Sequence, residues 1–274
     1  APKKYWDLYD RDKISLAGTP YLPKDSPIMA MNSMYELKAC YDLEFVRHPS
    51  EYHLPEETAR QLKHGYYASV SFVDACIGQL MDGLRELGLD KNTIVVFWGD
   101  HGWKLGEHGS WCKQTNYSID TRVPLLIRAP GSGRGSKTDS LTELVDLYPT
   151  LCDLAGIEIP ESMEGVSLRP LLDLPEQDLK SAAFSQYVRR PKNSPDGKRY
   201  MGSSMVTSRY HYVEWYPWDD TTKTAGDLVA VELYDLESDP EENVNIAGQA
   251  DQADTVRDLA AKLEAGWRAA RNRD

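Results

Sequence analysis

The sequence predicts an α/β fold, and three features of the chain carry that prediction. Apolar residues recur every three or four positions between Glu56 and Leu87, which is the period of an amphipathic helix. The segment NTIVVFWG then runs apolar without alternation, as expected for a strand buried on both faces of a parallel sheet. A second apolar strand, VPLLIRAP, begins at Val123, and another helical pattern follows it. This order of helices and strands is typical of layered α/β folds.

The first 55 residues are predicted to form an extended segment rather than a separate domain. Prolines occupy positions 2, 20, 23, 27, 49 and 55, and no helical or strand period is sustained between them. We therefore expect this segment to wrap over the body of the fold.

The helix after the second strand is predicted from SLTELVDLYPTLCDLAG. Ser140 and Glu143 have the spacing of a capping box, and Gly156 marks the end of the helix. The apolar stripe consists of Leu144, Leu147, Leu151 and Leu154. Pro149 is expected to kink this helix, because proline interrupts the hydrogen bonds of a helix interior.

From about Ser181 the pattern changes to short strands separated by turns. The strand candidates are AAFSQYV, YMGSSMVTS, YHYVEWY and VELYDL. A last apolar stripe, formed by Val256, Leu259, Leu263 and Trp267, predicts a closing helix. We predict an α/β part in residues 1–180 and an α+β subdomain in residues 181–274, made of a small antiparallel sheet and the closing helix.

Composition narrows the possible functions. The chain has 274 residues, a formal net charge of −12 and 41% hydrophobic residues, which is enough for a sizeable core. The negative charge argues against nucleic-acid binding. A small anionic substrate is still possible if basic residues are concentrated at its binding site. The sequence has neither a membrane-spanning apolar run nor the apolar stretch of a signal peptide at its start, so we expect a soluble chain. The four cysteines form no zinc-binding pattern.

Asp100 and His101 directly follow the first apolar strand and lie between Gly99 and Gly102. In open α/β sheets ligands bind beyond the carboxyl ends of strands, and a carboxylate and an imidazole there can bind one metal ion. Two side chains are too few to hold the ion alone. The alternative is a turn-capping aspartate beside a histidine whose hydrogen bonds are satisfied.

The loop that follows is long and contains further chemically active residues. Loops of this length inside a compact domain are usually functional. Lys113 could bind an anion beside aromatic walls such as Trp103, or could be a solvated surface lysine. His108 could donate a proton or only fix the loop. Cys112 is interpreted as a packing residue, because the sequence near it lacks the catalytic partners that a nucleophilic cysteine requires.

Four segments, in order, resemble a known family. VVFWGDHGWKLGEHGSWCKQTNYSIDTRVPLLIRAPG resembles the second signature region of the sulfatases, within the alkaline-phosphatase-like superfamily, and in particular the iduronate-2-sulfatase-like group. TELVDLYPTLCDLAG and LYDLESDPEENVN resemble that group's next two signatures, and PKKYWDLYD a segment before the long helix. The resemblance implies part of an alkaline-phosphatase-like α/β sandwich with a small antiparallel sheet and a closing helix near the carboxyl terminus.

The resemblance also implies roles for individual residues. Asp100 and His101 match ligands of a divalent cation, usually calcium, although an imidazole is less typical for calcium and leaves the metal open. Lys113 matches a catalytic lysine that contacts the substrate sulfate. His108 and Trp103 become candidate substrate-binding residues in the same loop.

Arg199 is a third candidate for substrate binding. It belongs to a basic cluster with Arg189, Arg190, Lys192 and Lys198, in a region where this group places residues that reach the substrate. A uronate carboxylate would suit bidentate pairing with Arg199, and a solvated basic turn is the alternative. His211 is interpreted as a histidine on the surface of the sheet.

The nucleophile of the family is absent from the sequence. Sulfatases use a formylglycine made from the first residue of a C/S-x-P/A-x-R motif, and no cysteine or serine of this chain begins that motif. The paired aspartates that complete the cation site are missing too. We therefore expect the carboxyl-terminal half of a sulfatase, inactive alone, whose amino-terminal half supplies formylglycine and forms its partner. The resemblance implies a periplasmic, secreted or lysosomal protein.

The sequence thus predicts a sulfuric ester hydrolase that acts on a sulfated carbohydrate of the glycosaminoglycan type. A phosphomonoester or phosphonate hydrolase of the same superfamily is the first alternative, because a cation site serves both tetrahedral anions. The second alternative is a non-catalytic binding or structural subunit that kept the fold.

Overall fold

A computed structural model of the chain describes residues 1–40, 42–132, 135–194 and 196–272. The helices are α1 (Lys3–Trp6), α2 (Tyr35–Lys38), α3 (Glu56–Glu86), α4 (Ser118–Thr121), α5 (Leu147–Leu154), α6 (Arg169–Asp173) and α7 (Ala253–Ala269). The strands are β1 (Val95–Trp98), β2 (Lys104–Leu105), β3 (Trp111–Cys112), β4 (Leu125–Arg128), β5 (Ala183–Arg189), β6 (Tyr200–Val206), β7 (Tyr210–Asp219), β8 (Thr224–Ala225) and β9 (Ala230–Asp235).

The amino-terminal segment wraps along α3, as the sequence predicts, but it contains short helices as well as extended backbone. His64 Nε2 on α3 donates a hydrogen bond of 2.8 Å to the carbonyl of Trp6. Gly65 makes this approach possible, because a Cβ atom there would lie 3.0 Å from the Trp6 ring. Helix α3 therefore serves as the support for the segment that precedes it.

The prediction that the first apolar strand belongs to a parallel sheet buried on both faces is wrong for this structure. Strand β1 pairs antiparallel with β4, and Phe97, Trp98 and Leu126 are exposed. The strands oppose each other because the segment between them folds into a compact loop that reverses the chain direction. Exposed apolar side chains also lie on α3, including Val70, Val73 and Leu80.

The helix predicted after the second strand begins later than its capping signal suggested. The capping box forms between Glu143 and Asp146, rather than between Ser140 and Glu143, and it closes a 3-10 helix that leads into α5. Because α5 starts at Leu147, Pro149 lies in its first turn. A proline there replaces a donor that has no partner within the helix, so it need not kink the helix.

The strands from β5 onward form one antiparallel sheet, as predicted. Its order is β5-β6-β7-β9, and β8 pairs with the far end of β7. Met205, Tyr212 and Leu233 pack toward Leu259 of α7. The opposite face packs on the amino-terminal segment, where Met29 shares a core with Trp215. The division of the chain at residue 180 stays a prediction.

A buried charged pair joins this sheet to the rest of the fold. His211 lies between Ser204 Oγ at 2.7 Å and Glu242 Oε1 at 2.5 Å, and all three residues are almost fully buried. Glu242 also accepts hydrogen bonds from the backbone and hydroxyl of Ser118 at the start of α4. His211 is therefore an interior residue, and its interpretation as a sheet-surface histidine is wrong.

A second buried carboxylate, Glu232, is satisfied entirely by neutral donors. It accepts hydrogen bonds from Trp215 Nε1 at 2.7 Å, Tyr234 OH at 2.6 Å and Tyr117 OH at 3.0 Å. Ser26 Oγ of the amino-terminal segment donates a fourth, at 3.1 Å. Such a network fixes the position of every member, because an unpaired buried carboxylate would be costly.

No helix within the described ranges combines the length and the apolar character that crossing a membrane requires.

We predict that the His211–Glu242 pair makes the stability of the fold depend on pH. Burial alone would lower the pKa of His211, but the Glu242 carboxylate outweighs it and raises that pKa above 6.5. Burial opposes ionisation of Glu242, but His211 and Ser118 hold its pKa below 4.5. The histidine's contribution is present below pH 6.5 and is lost as pH rises through the folded-state pKa, whereas the carboxylate's contribution is lost in acid.

The measurement is the free energy of unfolding in urea at mildly acidic and at alkaline pH. We expect the wild-type protein to lose more stability than His211→Asn as pH rises. An equal loss in both proteins would contradict the prediction. Arg209→Gln, which removes an exposed ion pair with Asp235, is the control for surface charge.

Candidate functional site

The loop between β1 and β4 is held by a close contact between its two ends. The backbone nitrogen of Gly102 donates to the carbonyl of Asp120 at 2.8 Å. A Cβ atom at Gly102 would lie 1.9 Å from the carbonyl oxygen of Ile119, so only glycine fits. Within the loop, β2 and β3 pair through Lys104 opposite Cys112. The residues after β1 and those before β4 are thus fixed to one another.

A buried ion pair lies at the centre of this loop. Lys104 Nζ is 2.6 Å from Asp120 Oδ2, and the exposed fractions of the two side chains are 0% and 3%. Thr115 accepts a hydrogen bond from Lys104 and donates its backbone N–H and hydroxyl to Asp120. Burial lowers the pKa of Lys104, and the adjacent Asp120 carboxylate opposes that effect. The pair connects β2, the segment before α4, and α4 itself.

Asp100 and His101 lie just beyond the end of β1, as predicted. Their side chains are 86% and 36% exposed, and His101 Nε2 lies 3.6 Å from Asp100 Oδ2. His101 Nδ1 donates to the carbonyl of Gly102 at 2.9 Å, which leaves the lone pair of the neutral ring on Nε2. Two electron-rich atoms then face each other at a separation that one cation could bridge.

The carboxylate of Asp100 and the imidazole of His101 are suitable ligands for a divalent cation, but two ligands do not complete a metal site. Across residues 1–40, 42–132, 135–194 and 196–272, no group of three or more His, Cys, Asp or Glu side chains is placed to hold a metal ion. Calcium takes six to eight oxygen ligands, so a calcium site would need further donors.

Trp103 connects this pair to Lys113. Its ring stacks on His101, with centroids 6.0 Å apart, and on Tyr66 of α3, with centroids 6.2 Å apart. Lys113 Nζ lies 4.9 Å from the Trp103 ring centroid, in a cation–π contact. The predicted metal ligand His101 and the predicted sulfate contact Lys113 therefore both contact one indole ring.

Lys113 is held by the amino-terminal segment. Its Nζ lies 3.0 Å from Glu36 Oε1, and the two side chains are 25% and 28% exposed. Asn32 Nδ2 donates to the carbonyl of Lys113 at 2.5 Å, and Gln114 Nε2 donates to Tyr35 OH at 2.5 Å. Cys112 and Gln114 have φ angles of 68° and 87°. These contacts maintain a left-handed backbone conformation that residues other than glycine rarely adopt.

His108 does not fit the predicted role in substrate binding. It is 2% exposed, and its Nε2 donates to the carbonyl of Glu241 at 2.7 Å. Burial, followed by the positive charge of Lys104, lowers its pKa, so the ring is neutral. Its burial and this hydrogen bond favour the second role that the sequence allowed, which is to fix the loop.

Arg199 and Cys112 are also explained by local contacts. Arg199 forms an ion pair with Asp220, which directly follows β7. Cys112 is buried, and burial raises the pKa of its thiol to about 12. A thiol with so high a pKa is not a nucleophile at neutral pH, which agrees with its interpretation as a packing residue.

Sequence reasoning did not identify Asn32, Tyr35 or Glu36 as part of the site. They lie in and before α2, a single turn of helix within a proline-rich segment that has no sustained period. Only their contacts across the fold associate them with Lys113. The adjacent polar residues in NSMYE are the one local signal that could have indicated them.

Two family profiles match the chain. The profile described as Sulfatase matches residues 28–157, and the profile described as N-sulphoglucosamine sulphohydrolase, C-terminal, matches residues 106–268. The chain belongs to the sulfatase family.

Among its relatives are the iduronate 2-sulfatases. The protein of Mus musculus is 32% identical over 314 residues, which cover 94% of this chain and 57% of the relative. The protein of Homo sapiens is 30% identical, with 92% of this chain and 56% of the relative covered. An N-acetylglucosamine-6-O-sulfatase of Bacteroides thetaiotaomicron is 34% identical over 75% of this chain and 35% of the relative. The chain spans little more than half of either iduronate 2-sulfatase and corresponds to their carboxyl-terminal part.

Solved structures confirm the alkaline-phosphatase-like fold. A protein determined in complex with its substrate D-glucosamine-2-N,6-O-disulfate has a TM-score of 0.76 and 26% identity, with 96% of this chain and 61% of that chain covered. A phosphonate monoester hydrolase from Silicibacter pomeroyi has a TM-score of 0.77 and 28% identity, with 97% of this chain and 52% of that chain covered.

We predict that Lys104→Met destabilises the protein by about 3 to 5 kcal/mol, because it leaves the buried Asp120 carboxylate without a counter-ion. The free energy of unfolding in urea measures this. The double variant Lys104→Met/Asp120→Leu should recover much of the loss, since it removes both charges.

Lys3→Gln, which removes an ion pair between the exposed side chains of Lys3 and Asp7, is the matched control and should change stability little. A Lys104→Met protein as stable as the wild type would show that the pair does not support the loop.

Proposed function

We propose that the protein hydrolyses sulfate esters of a sulfated carbohydrate. The observation that carries the proposal is the convergence of Asp100 and His101 with Lys113 around the Trp103 ring. A cation site and a fixed ammonium group that both lie beside one aromatic ring suit a small tetrahedral anion. Membership of the sulfatase family supports sulfate as that anion.

Each residue would contribute a distinct part of the chemistry. Asp100 and His101 would hold a divalent cation, calcium by the family pattern, which supplies positive charge to polarise the sulfate. Lys113 would bind the sulfate oxygens and neutralise the charge that grows on them in the transition state. Trp103 would exclude water beside Lys113, which strengthens that attraction. Glu36 keeps the ammonium group in place.

The nucleophile and the remaining metal ligands would come from an amino-terminal half. The formylglycine motif does not occur in the 274 residues, and the chain spans 57% of the mouse iduronate 2-sulfatase. Exposed apolar side chains on β1, β4 and α3 support this partner, because large apolar patches usually mark an interaction surface. Formylglycine, when present, supplies the nucleophile that attacks sulfur.

The relatives indicate the substrate class. Iduronate 2-sulfatases and an N-acetylglucosamine-6-O-sulfatase both bear names that specify sulfated sugars. We therefore propose a glycosaminoglycan-type saccharide, with an iduronate-2-sulfatase-like specificity as the first choice. The test is sulfate release from sulfated disaccharides by the full-length protein, produced in a host that makes formylglycine.

A phosphonate monoester hydrolase is the second candidate, because one such enzyme shares the fold with a TM-score of 0.77. Parallel assays with 4-nitrophenyl sulfate and a phenyl phosphonate monoester distinguish the two reactions. A kcat/KM that is higher for the phosphonate would favour the second candidate. Binding of the saccharide without hydrolysis of either ester would favour the non-catalytic alternative.

We predict that Asp100→Ala abolishes turnover in the full-length enzyme, because it removes a carboxylate from the cation site at the end of β1. Calcium affinity, measured by calorimetry, should fall in parallel. Near-normal activity at saturating calcium would reject the role. Asp82→Ala, on the exposed end of α3, is a control for removal of a carboxylate.

We predict that Lys113→Met lowers kcat rather than raising KM, with a loss of about 2 to 4 kcal/mol in transition-state stabilisation. The reason is that a fixed ammonium group contributes most when negative charge develops on the sulfuryl oxygens. Steady-state kinetics separate the two effects. An unchanged kcat with a higher KM would show that Lys113 binds substrate and transition state equally.

A further inference from the structure

The end of β5 is fastened to the segment that carries Tyr35 and Glu36. Arg189 is fully buried, and it donates from Nε to the carbonyl of Met29 at 2.9 Å and from a terminal nitrogen to the carbonyl of Ala30 at 3.0 Å. Burial lowers its pKa to about 10, which still leaves it charged at neutral pH. The turn that follows β5 therefore has a fixed position relative to α2.

That turn places a second cation beside the candidate site. The 3-10 helix Pro191–Asn193 follows Arg190, and its Asn193 is buried and donates its backbone N–H to the carbonyl of Arg190 at 2.8 Å. Lys192 lies on the exposed side of this turn, with its Nζ 5.2 Å from the Tyr35 ring centroid. Lys192 therefore contacts the tyrosine that Gln114, the neighbour of Lys113, also contacts.

Two ammonium groups thus lie against consecutive residues of one helical turn. Lys192 contacts the ring of Tyr35, and Lys113 contacts the carboxylate of Glu36. Gln114, next to Lys113, donates to the Tyr35 hydroxyl and so connects the two contacts. The relative position of the two cations is set by the helix and by this hydrogen bond.

The charge of Lys192 is not neutralised within the described ranges. No carboxylate oxygen of residues 1–40, 42–132, 135–194 or 196–272 lies within 4.0 Å of its Nζ. By contrast, Arg199 of the same basic cluster has a carboxylate partner, Asp220. A cation held by an aromatic ring and exposed to solvent is available to an external anion.

We propose that Lys192 and Tyr35 form a second anion subsite, which binds a further carboxylate or sulfate group of the saccharide whose scissile sulfate lies at Lys113. This inference rests on the proposed function and specifies its substrate class as a saccharide with at least two anionic groups. The flexible ammonium group of Lys192 suits either anion, because it can donate hydrogen bonds without the fixed two-point geometry of a guanidinium group. The phenol ring of Tyr35 offers a surface on which a sugar ring can lie.

The experiment compares Lys192→Gln with wild type in the full-length protein, on three substrates. These are 4-nitrophenyl sulfate, a 2-O-sulfated uronate disaccharide, and the methyl ester of that disaccharide. We expect KM for the disaccharide to rise about three- to fivefold in Lys192→Gln, the size of a partly exposed ion pair. KM for 4-nitrophenyl sulfate should stay the same. Lys192→Arg should restore the wild-type value.

Lys198→Gln is the matched control, since Lys198 is an exposed lysine of the same basic cluster. A wild-type preference for the disaccharide that the methyl ester abolishes identifies the uronate carboxylate as the ligand. A preference that the ester keeps, but an added sulfate on the neighbouring sugar strengthens, identifies that sulfate. An unchanged KM for every substrate in Lys192→Gln would overturn the subsite, as would an equal effect in Lys198→Gln.

Equilibrium binding of the desulfated disaccharide separates this inference from the proposed reaction. That product retains the uronate carboxylate and cannot turn over. Suppose that the full-length wild-type protein has no sulfatase activity but binds the desulfated disaccharide more tightly than Lys192→Gln does. That result would support the subsite and refute the proposed function. Sulfatase activity together with equal binding to wild type and to both glutamine variants would refute a carboxylate subsite and retain the function.

Discussion

The buried contact between Lys104 and Asp120 is the interaction on which the candidate site depends. It joins β2 to α4, so the loop between β1 and β4 becomes a compact unit instead of a mobile insertion. Because a lone charge in this interior would be costly, neither residue tolerates the absence of the other. The compact loop reverses the chain between β1 and β4. Contacts from the amino-terminal segment then hold Lys113 and the left-handed backbone on either side of it in place.

Three separate parts of the chain meet around Trp103. The loop contributes His101 and Lys113, α3 contributes Tyr66, and the amino-terminal segment contributes Glu36. The contacts are ring stacking from His101 and Tyr66, a cation–π contact from Lys113, and the ion pair between Lys113 and Glu36. The arrangement resembles a site in which one anion is bound from several directions. The positive charge of Lys113 is local, because the chain as a whole has a net charge of −12.

The sequence predicted the elements better than their arrangement. The period of α3 and the order of the carboxyl-terminal strands are local signals, and both are confirmed. The direction of β4 relative to β1 depends on how the loop folds, which no local period encodes. Asp100, His101 and Lys113 were predicted from the family resemblance, and their roles stay predictions. Glu36 has only a weak local signal, and Lys192 is one of several residues in a basic cluster, so only contacts across the fold distinguish them.

The hydrogen bonds from Arg189 to the segment before α2 have a consequence for biosynthesis. The Nε of Arg189 and the carbonyl of Met29 are 160 positions apart in the chain. While the ribosome is still extending the polypeptide, the carbonyl groups of Met29 and Ala30 therefore lack these two hydrogen bonds until β5 has emerged. Contacts of such long sequence separation form slowly, because a large loop must close first. The turn that carries Lys192 consequently takes its position beside Tyr35 only once β5 is made, whereas the contacts of Asn32 and Glu36 with Lys113 become possible earlier in synthesis.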